Sequence, residues 1–355
     1  MRQLATRGRL TQERESGSMS VKAFGEADGV TIFEVSLRSA GGAQAKVLSW
    51  GGVLEDLVVP SANGPQRVVL GLNNMADYVA HSPHFGATAG RFANRIARGR
   101  FAIDGHTYET PCNEGGKNAL HGGGKGLGFG ARAWKLGLHD MSSVTMSLHS
   151  PAGEAGYPGN LNVNCSYRLL ETATLEIEMR AWTDAPTLVN LAHHSYFNLD
   201  GSSDARDHEL TLNADFYTPV DGENIPTGEI LKCAGTPFDF AAPRAIRNAE
   251  GQRYDHNFVI APMPGADGLA HAATLRSRRN GLAMDVWTSE PGLQFYDGAK
   301  LNLPVAGLDG ASAGAHAGLC FEAQTYPDAP NRRHFPSAVV RPSAAYRQVT
   351  QYRFG

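Results

Sequence analysis

The segment Thr174–Ala181, TLEIEMRA, decides the fold class of this chain. Apolar residues occupy every second position, and two glutamates and an arginine occupy the positions between them. Side chains alternate between the two faces of a β-strand, so this pattern predicts a strand with one buried and one solvated face. Residues 162–167, NVNCSY, repeat the alternation, and a turn at Pro158–Asn160 precedes them. Two such neighbouring segments indicate antiparallel strands.

The rest of the chain favours the same class. Asp104–Gly105 separates two apolar segments and predicts a two-residue hairpin, because both turn positions need positive φ. The 41 glycines and 19 prolines indicate many turns and short strands. Long helical patterns are missing, and only Met75–Val79 predicts a single helical turn. The sequence therefore predicts an all-β protein, an antiparallel sandwich or barrel.

Composition excludes several classes of function. The chain has 355 residues, 42% of them hydrophobic and 19% charged, with a formal net charge of −3. No basic stripe is interleaved with aromatic residues, which argues against nucleic-acid binding. No apolar run approaches the roughly 18 residues that cross a bilayer, so no membrane partner is expected. Length alone suggests two domains, but all-β domains often reach this size.

The first 20 residues differ in composition from the rest. They are polar and arginine-rich, and they lack the apolar block of a secretory signal. We expect residues 1–20 to form a flexible extension, with Met19 a plausible start of translation, and residues 21–355 to form one domain. The cysteines, which form no C-x-x-C pair, are Cys112, Cys165, Cys233 and Cys320. They predict reduced thiols in a cytoplasmic protein.

Three motifs carry polar side chains suited to binding. GRFANRI, residues 90–96, contains Arg95, whose guanidinium can donate paired hydrogen bonds. LHGG, residues 120–123, sets a histidine beside glycines that let a ligand approach the backbone. HHSYFNL, residues 193–199, predicts a strand in which His194, Tyr196 and Asn198 share one face. His193 then faces away, which argues against a two-histidine metal chelate from this segment.

Two further motifs supply carboxylates. YDHNF, residues 254–258, offers Asp255 as an acceptor for hydroxyl groups. LCFEAQ, residues 319–324, places Glu322 in an otherwise apolar strand. An unpaired carboxylate is costly to bury, so such a residue is either paired or functional. Burial also raises a carboxyl pKa toward neutrality, which suits a general base.

Taken together, these segments resemble the aldose 1-epimerase family, the galactose mutarotases. The resemblance extends from about residue 21 to the end, and its motifs occur in the family's order: GRFANRI, NALHGG, GEAGYPGNL, NLAHHSYFNLDG, IPTG, YDHNF, PGLQFY and FEAQTYPDAPN. It implies a large antiparallel β-supersandwich with an open sugar-binding cleft. It also implies interconversion of the α and β anomers of free hexoses such as glucose and galactose, without a metal or other cofactor.

The resemblance implies roles for individual residues. Glu322 matches the family's general base, and His194 matches its general acid. The residues that match those holding sugar hydroxyls are Arg95, His121 and Asp255. Asn94, Tyr196 and Gln294 match positions in or beside the same cleft. The base takes the O1 proton while the acid protonates the ring oxygen, which opens the ring.

The sequence departs from the family pattern in one segment, and it leaves three other functions open. Residues 121–134, HGGGKGLGFGARAW, are longer and richer in glycine than the family pattern and lack its aspartate, so we expect a looser loop.

A hexose-6-phosphate epimerase would need cations such as Arg91 or Arg98. A sugar-binding regulator would keep the fold without catalysis. A metal hydrolase would use His121, His194, Asp255 and Glu322. Preferred sugar and oligomeric state are not readable from the chain.

Overall fold

The computed structural model describes residues 20–82, 84–124, 126–248, 251–261, 267–310 and 312–355. The strands of the first part are β1 Ser20–Ala27, β2 Val30–Arg38, β3 Gln44–Leu48, β4 Val53–Ser61, β5 Gly64–Arg67, β6 Ala87–Ala89, β7 Arg95–Ile96, β8 Arg100–Ile103, β9 His106–Glu109, β10 Ala119–Leu120, β11 Lys135–His139, β12 Ser143–Ser150, β13 Leu161–Leu170 and β14 Thr174–Thr183.

The strands of the second part are β15 Thr187–Leu188, β16 Ala192–His194, β17 Tyr196–Phe197, β18 Glu209–Leu212, β19 Phe216–Thr218, β20 Leu231–Lys232, β21 Arg244–Ala245, β22 Asp255–Val259, β23 Ala270–Arg276, β24 Ala283–Thr288, β25 Gly292–Tyr296, β26 Leu319–Gln324, β27 Val339–Val340 and β28 Tyr346–Phe354. Helix α1 spans Met75–His81, and single 3₁₀ turns span Ala97–Gly99, Phe129–Ala131, Glu154–Gly156, Ala205–Asp207, Leu308–Gly310 and Ala329–Asn331.

Three larger antiparallel sheets organise these strands. The first contains five strands in the order β1-β2-β3-β4-β5. The second contains nine, in the order β11-β12-β13-β14-β28-β24-β23-β18-β21. The third contains six, in the order β17-β26-β25-β22-β19-β20. The all-β prediction is therefore confirmed, and β28, near the end of the chain, pairs with β14 in the middle of the largest sheet.

The deciding segment lies in β14 and the second alternating segment lies in β13, as predicted. The two strands pair in antiparallel register, with Cys165 opposite Met179. Both of these side chains, with Ile177, belong to the main hydrophobic core, whereas Arg180 is exposed on the other face. Apolar residues alternate with polar ones because one face of the sheet packs on the core and the other carries charged side chains.

The local turn predictions are also confirmed. Asp104 and Gly105 have φ of 51° and 82° and connect β8 to β9, which fits the left-handed turn that a two-residue hairpin needs. The turn predicted near Met75 is the helix α1, whose N-cap is Asn74. The Asn74 side chain accepts a hydrogen bond from the Asp77 N–H, which satisfies a free amide of the first turn.

The six-stranded sheet separates the main core from the cleft. On β26, Phe321 and Ala323 point into the core, and on β25 Phe295 does the same. The intervening positions of these two strands, Gln294 and Glu322, lie on the opposite face, directly across from each other in the ladder. Alternation along two core strands thus presents polar side chains to the cleft.

The predicted N-terminal extension falls almost entirely outside the described residues, which begin at Ser20, the first residue of β1. In the described part of the chain, no helix is long and apolar enough to cross a membrane. All four cysteines are free thiols. The glycine-rich segment after His121 is bonded on both sides of residue 125, since Gly128 N–H donates to Gly124 O and Phe129 N–H donates to Gly90 O.

Candidate active site

Glu322 lies at the centre of the cleft. It is only 2% exposed, and its Oε1 is 3.7 Å from His194 Nε2. Within the described residues, its Oε2 has no hydrogen-bond partner. Burial raises the pKa of the Glu322 carboxyl well above its usual value, and the nearby Asp255 carboxylate raises it further, while Arg95 opposes both. A buried carboxylate with a free lone pair is suited to accept a proton from a ligand.

His193 and His194 lie on opposite faces of their strand, as the alternation predicts. His193 Nε2 is 2.7 Å from Ser195 Oγ on the core side, and its ring is 5.9 Å from that of Tyr167. His194 faces the cleft, where its ring is 5.2 Å from that of Tyr196. Burial, and then the neighbouring His84, lower the pKa of His194 to about 3. Of these two histidines, His194 is therefore the one that a ligand in the cleft can reach.

The prediction that Asn198 shares this cleft face is wrong. Strand β17 ends at Phe197, so the alternation stops one residue before Asn198. The Asn198 amide instead donates to the carbonyls of Ser202 and Ala317. It closes a turn beside the strand rather than facing the cleft.

Arg95 is held by two carboxylates. Its Nε and Nη2 each donate to Glu114 at 2.7 Å, in a bidentate pair. Its Nη1 is 3.6 Å from Asp255 Oδ2. Burial alone would lower the pKa of Arg95, but the bonds to Glu114 and the charge of Asp255 raise it above its usual value. Arg95 is thus a permanently charged, preorganised donor at the cleft.

The side-chain amides of neighbouring strands hold Asp255 in place. Gln294 Nε2 donates to Asp255 Oδ1 at 2.7 Å, and Gln324 Nε2 donates to Gln294 Oε1 at 3.4 Å. Asn257, opposite Gln294 in the ladder, is 1% exposed and extends the polar face of the sheet. Gln294 does not line the cavity itself but holds Asp255, which does.

Asn94 and His121 form a hydrogen-bonded pair beside the cleft. Both residues have positive φ, 62° and 48°, and His121 Nδ1 accepts a hydrogen bond from the Asn94 N–H at 3.2 Å. A ring nitrogen that accepts from an amide carries no proton, so neutral His121 carries its proton on Nε2. Burial lowers the pKa of His121 well below its usual value, as do the neighbouring His84 and His194. The ring therefore offers an N–H donor.

This tautomer bears on the metal-hydrolase alternative. One potential ligand atom from each of His121, His194 and Glu322 lies within 4.8 Å of the others, a spacing that a metal ion could bridge. A histidine binds a metal through an unprotonated nitrogen. Binding through His121 Nε2 would require the proton to move to Nδ1, where the Asn94 N–H already donates. The donor set therefore fits a metal poorly.

The residues enclose a cavity of about 220 Å³. Most of the residues that line it carry a polar group: His84, Asn94, Arg95, Glu114, Leu120, His121, His194, Tyr196, Asp255, Tyr296, Lys300, Leu301 and Glu322. Every predicted site residue except Gln294 is among them. The sequence reasoning missed His84, Glu114, Tyr296 and Lys300. Tyr296 lies two positions from Gln294 on β25, so alternation was a usable signal for it, whereas nothing local marks Glu114 as the partner of Arg95.

The fold is all-β, and its small polar cleft holds a buried carboxylate, a histidine and an arginine, groups that can move protons and bind hydroxyl groups. Residues 34–353 match the family model described as aldose 1-epimerase. The chain therefore belongs to the aldose 1-epimerase family, and it is an isomerase that interconverts the anomers of aldoses. This agrees with the resemblance carried by the sequence motifs.

Individual relatives share most of their length with this chain. Galactose mutarotase from Bos taurus is 39% identical over 315 residues, covering 87% of this chain and 90% of the relative. Aldose 1-epimerase from Escherichia coli K12 is 35% identical over 340 residues, covering 92% and 96%. A solved aldose epimerase homologue from C. elegans superposes with a TM-score of 0.85 at 30% identity, covering 91% of this chain and 98% of that structure.

Proposed function

We propose that Glu322 and His194 catalyse ring opening and reclosure of a free hexose, galactose or glucose, held by the side chains around them. The observation that carries this proposal is the 3.7 Å separation of Glu322 Oε1 from His194 Nε2 in a buried, polar cavity. Two positioned proton-transfer groups are what anomer interconversion requires, and each typically contributes about 10²–10⁴-fold.

The reaction needs no change in oxidation state. Glu322 removes the proton from O1, and the electron pair forms the C1 carbonyl as the C1–O5 bond breaks. His194 gives a proton to O5, which leaves as the C5 hydroxyl. Rotation about C1–C2 presents the other face of the aldehyde. Ring closure reverses both proton transfers, with Glu322 as acid and His194 as base.

Burial disfavours the charged forms of both Glu322 and His194. It raises the pKa of Glu322 and lowers that of His194, so a single proton shared between the two groups is the stable arrangement. Moving that proton from Glu322 to His194 creates the required base and acid without changing the net charge. The positive charge of Arg95 favours the ionised carboxylate, which assists this transfer.

The remaining polar groups position the sugar. Arg95 and the Nε2–H of His121 supply donors to hydroxyl oxygens, and Asp255 supplies an acceptor. Asn94 fixes the tautomer of His121, and Gln294 fixes the orientation of Asp255. Groups held in place before binding lower the entropic cost of orienting the substrate.

The charges favour a free hexose over a hexose 6-phosphate. Arg91 is 1% exposed and donates to Ser150 and to backbone carbonyls, with a pKa that burial lowers to about 10. Arg98 is exposed and does not line the cavity. The cationic lining residues are Arg95 and Lys300, against the carboxylates Glu114, Asp255 and Glu322. Because Glu322 and His194 hold one proton between them without net charge, these two cations face the two carboxylates Glu114 and Asp255, and no positive charge is left over for a dianionic phosphate.

The test is polarimetry on freshly dissolved α-galactose and α-glucose, with α-glucose 6-phosphate as the comparison. We expect kcat/KM for the free sugars to exceed that for the phosphate. A higher rate with the phosphate would establish the phosphate-specific alternative. Binding of galactose without faster mutarotation would establish the sugar-binding regulator instead.

We also propose that residues 21–355 act as one domain in the cytoplasm. Strands that lie far apart in the sequence, such as β11 and β28, belong to one sheet. The backbone of Val69, which follows β5, forms a β-bridge with that of Phe197 in β17. The four free cysteines support a reducing compartment.

A further inference from the structure

A buried thiol contacts the ring of the proposed general acid. Cys320 Sγ is 3.6 Å from His194 Nδ1, while Glu322 Oε1 is 3.7 Å from the other ring nitrogen, Nε2. Cys320 is 0% exposed and does not line the cavity, so it touches the ring but not a ligand in the cleft. The two nitrogens of His194 therefore face two different groups of strand β26.

The sequence of β26 places both groups beside His194. Cys320 and Glu322 are two residues apart, so alternation gives them the same face of the strand, and Phe321 between them points into the core. The pairing of β26 with β17 sets Cys320 opposite Tyr196, which follows His194 by two residues. Strand register thus fixes the contact between the thiol and the ring.

The proposed reaction decides which nitrogen of the neutral His194 ring carries the proton, and the inference rests on that reaction. A neutral imidazole has one N–H and one lone pair. Nε2 must hold the lone pair if it is to take a proton from Glu322. A ring protonated only at Nε2 would become an anion when it donated to O5. The proton of the resting ring therefore belongs on Nδ1, next to Cys320 Sγ.

A neutral thiol suits this position. Burial, and then the charge of Glu322, raise the pKa of Cys320 well above its usual value, so the thiol stays protonated and uncharged. Its sulfur can accept a weak hydrogen bond from Nδ1–H, which orients the ring. A carboxylate in the same place would stabilise the imidazolium and weaken it as an acid. An uncharged sulfur leaves the protonated ring able to release its proton to O5.

We propose that Cys320 is a positioning residue that accepts a hydrogen bond from Nδ1–H of His194 and thereby keeps Nε2 free to exchange a proton with Glu322 and the sugar. No proton passes between the thiol and the ring. The thiol keeps its own proton, and Nδ1 keeps its proton throughout the reaction. One ring nitrogen therefore fixes the orientation of His194, and the other performs the chemistry.

The first test is the tautomer of His194 in the resting enzyme without sugar, measured by ¹⁵N NMR of the histidine rings at pH 7. His194→Asn assigns the signal by its loss. We expect the Nδ1–H form in wild type and in Cys320→Ser, whose hydroxyl also accepts a hydrogen bond. In Cys320→Ala the ratio of the Nε2–H form to the Nδ1–H form should rise at least about threefold. A wild-type ring protonated at Nε2 would overturn the proposal, whether or not the variants fold.

The second test is polarimetry with galactose. Cys320→Ala should lower kcat about three- to tenfold, the rate equivalent of one hydrogen bond, and should change KM by less than about twofold, because the thiol does not touch the sugar. Cys320→Ser should keep more than half of the wild-type kcat. The matched control is Cys165→Ala, which truncates an equally buried cysteine of the main core and should keep kcat. An unchanged kcat in folded Cys320→Ala, or equal losses in the two folded alanine variants, would overturn the proposal.

Failure of this inference is distinguishable from failure of the proposed chemistry. The tautomer is measured without substrate, whereas the roles of Glu322 and His194 are tested by their own substitutions. An Nε2–H ring in wild type together with a large loss in Glu322→Gln would reject the role of Cys320 alone. Full activity in a folded Glu322→Gln variant would reject the chemistry and, with it, the inference.

Discussion

Glu322 and Glu178 both lie on antiparallel strands, and they are almost equally buried, at 2% and 6% exposed. Glu178 lies on β14 of the nine-stranded sheet, where Arg168, Arg180 and Arg347 all contact it at 2.7–3.1 Å. Glu322 lies on the six-stranded sheet beside His194 and another carboxylate. Burial opposes ionisation in both, but the three guanidiniums lower the pKa of Glu178 to about 2, whereas that of Glu322 is raised.

The comparison shows that low surface exposure alone does not decide what a carboxylate does, because the depth of burial and the neighbouring charges together set the direction of its pKa shift. A carboxylate satisfied by arginines is permanently ionised and cannot exchange protons near pH 7. A carboxylate that is desolvated and left partly unsatisfied costs stability and gains basicity. One region of the molecule therefore uses a glutamate to hold strands together, and the other keeps a glutamate ready for chemistry.

The largest expected effect separates these two roles directly. Glu322→Gln should lose at least about 10²-fold in kcat, because an amide of nearly the same shape cannot accept the O1 proton. Its melting temperature should equal or exceed that of wild type, since a costly buried carboxyl is removed. Glu178→Gln is the matched control and should retain kcat. Polarimetry and thermal melts on both variants measure this, and a folded Glu322→Gln variant with more than half of wild-type activity would remove Glu322 from the mechanism.

The second prediction applies the same logic to adjacent histidines. His194→Asn should also lose about 10²-fold in kcat, because the acid at the ring oxygen is gone. His193→Asn should retain kcat, since that ring faces the core and Ser195. Activities are compared per folded protein, measured by circular dichroism. Equal losses in the two folded variants would show that the strand faces do not separate their roles.

The third prediction concerns the stability that Glu178 contributes. Its folded pKa of about 2 lies below the ordinary glutamate value of 4.5, so its contribution is present above about pH 4.5 and is lost as pH falls toward 2. Because its arginine partners are partly exposed to solvent, we expect Glu178→Gln to cost about 1–2 kcal/mol at pH 7. Urea unfolding between pH 2 and pH 7 measures the difference. The exposed Glu171, in the turn between β13 and β14, supplies the control variant Glu171→Gln.

The fourth prediction concerns Glu55, on β4 of the five-stranded sheet. Burial, and then the charge of Glu34, raise the pKa of Glu55 to about 8. The folded state therefore holds this proton more tightly than the unfolded state, and stability falls as pH rises from about 4.5 through 8. Glu55→Gln should remove that loss, so the variant should be more stable than wild type at pH 9 but not at pH 5. Unfolding curves at pH 5 and pH 9 test this, and a variant with the same pH dependence as wild type would contradict it.

The sequence alone determined the features that depend on neighbouring residues. The alternation in TLEIEMRA predicts β14, Asp104–Gly105 predicts its hairpin, and the pair His193–His194 predicts two opposite faces. These inferences hold because a strand reverses side-chain direction at every residue, and because a tight hairpin needs residues that tolerate positive φ. The isolated carboxylate of Glu322 in an apolar strand was visible for the same reason.

The tertiary structure decided which groups meet. Glu114 holds Arg95 across a gap of 19 residues, and Gln294 lies opposite Glu322 only because β25 pairs with β26. The contact between the His84 and His121 rings and the burial of Arg91 likewise depend on contacts between distant segments. Alternation states which face a side chain takes, but strand order and register decide what it faces. Arg347 near Glu178 and Asp255 near Glu322 are neighbours that only the folded chain brings together, and each contributes to the pKa shift of its glutamate.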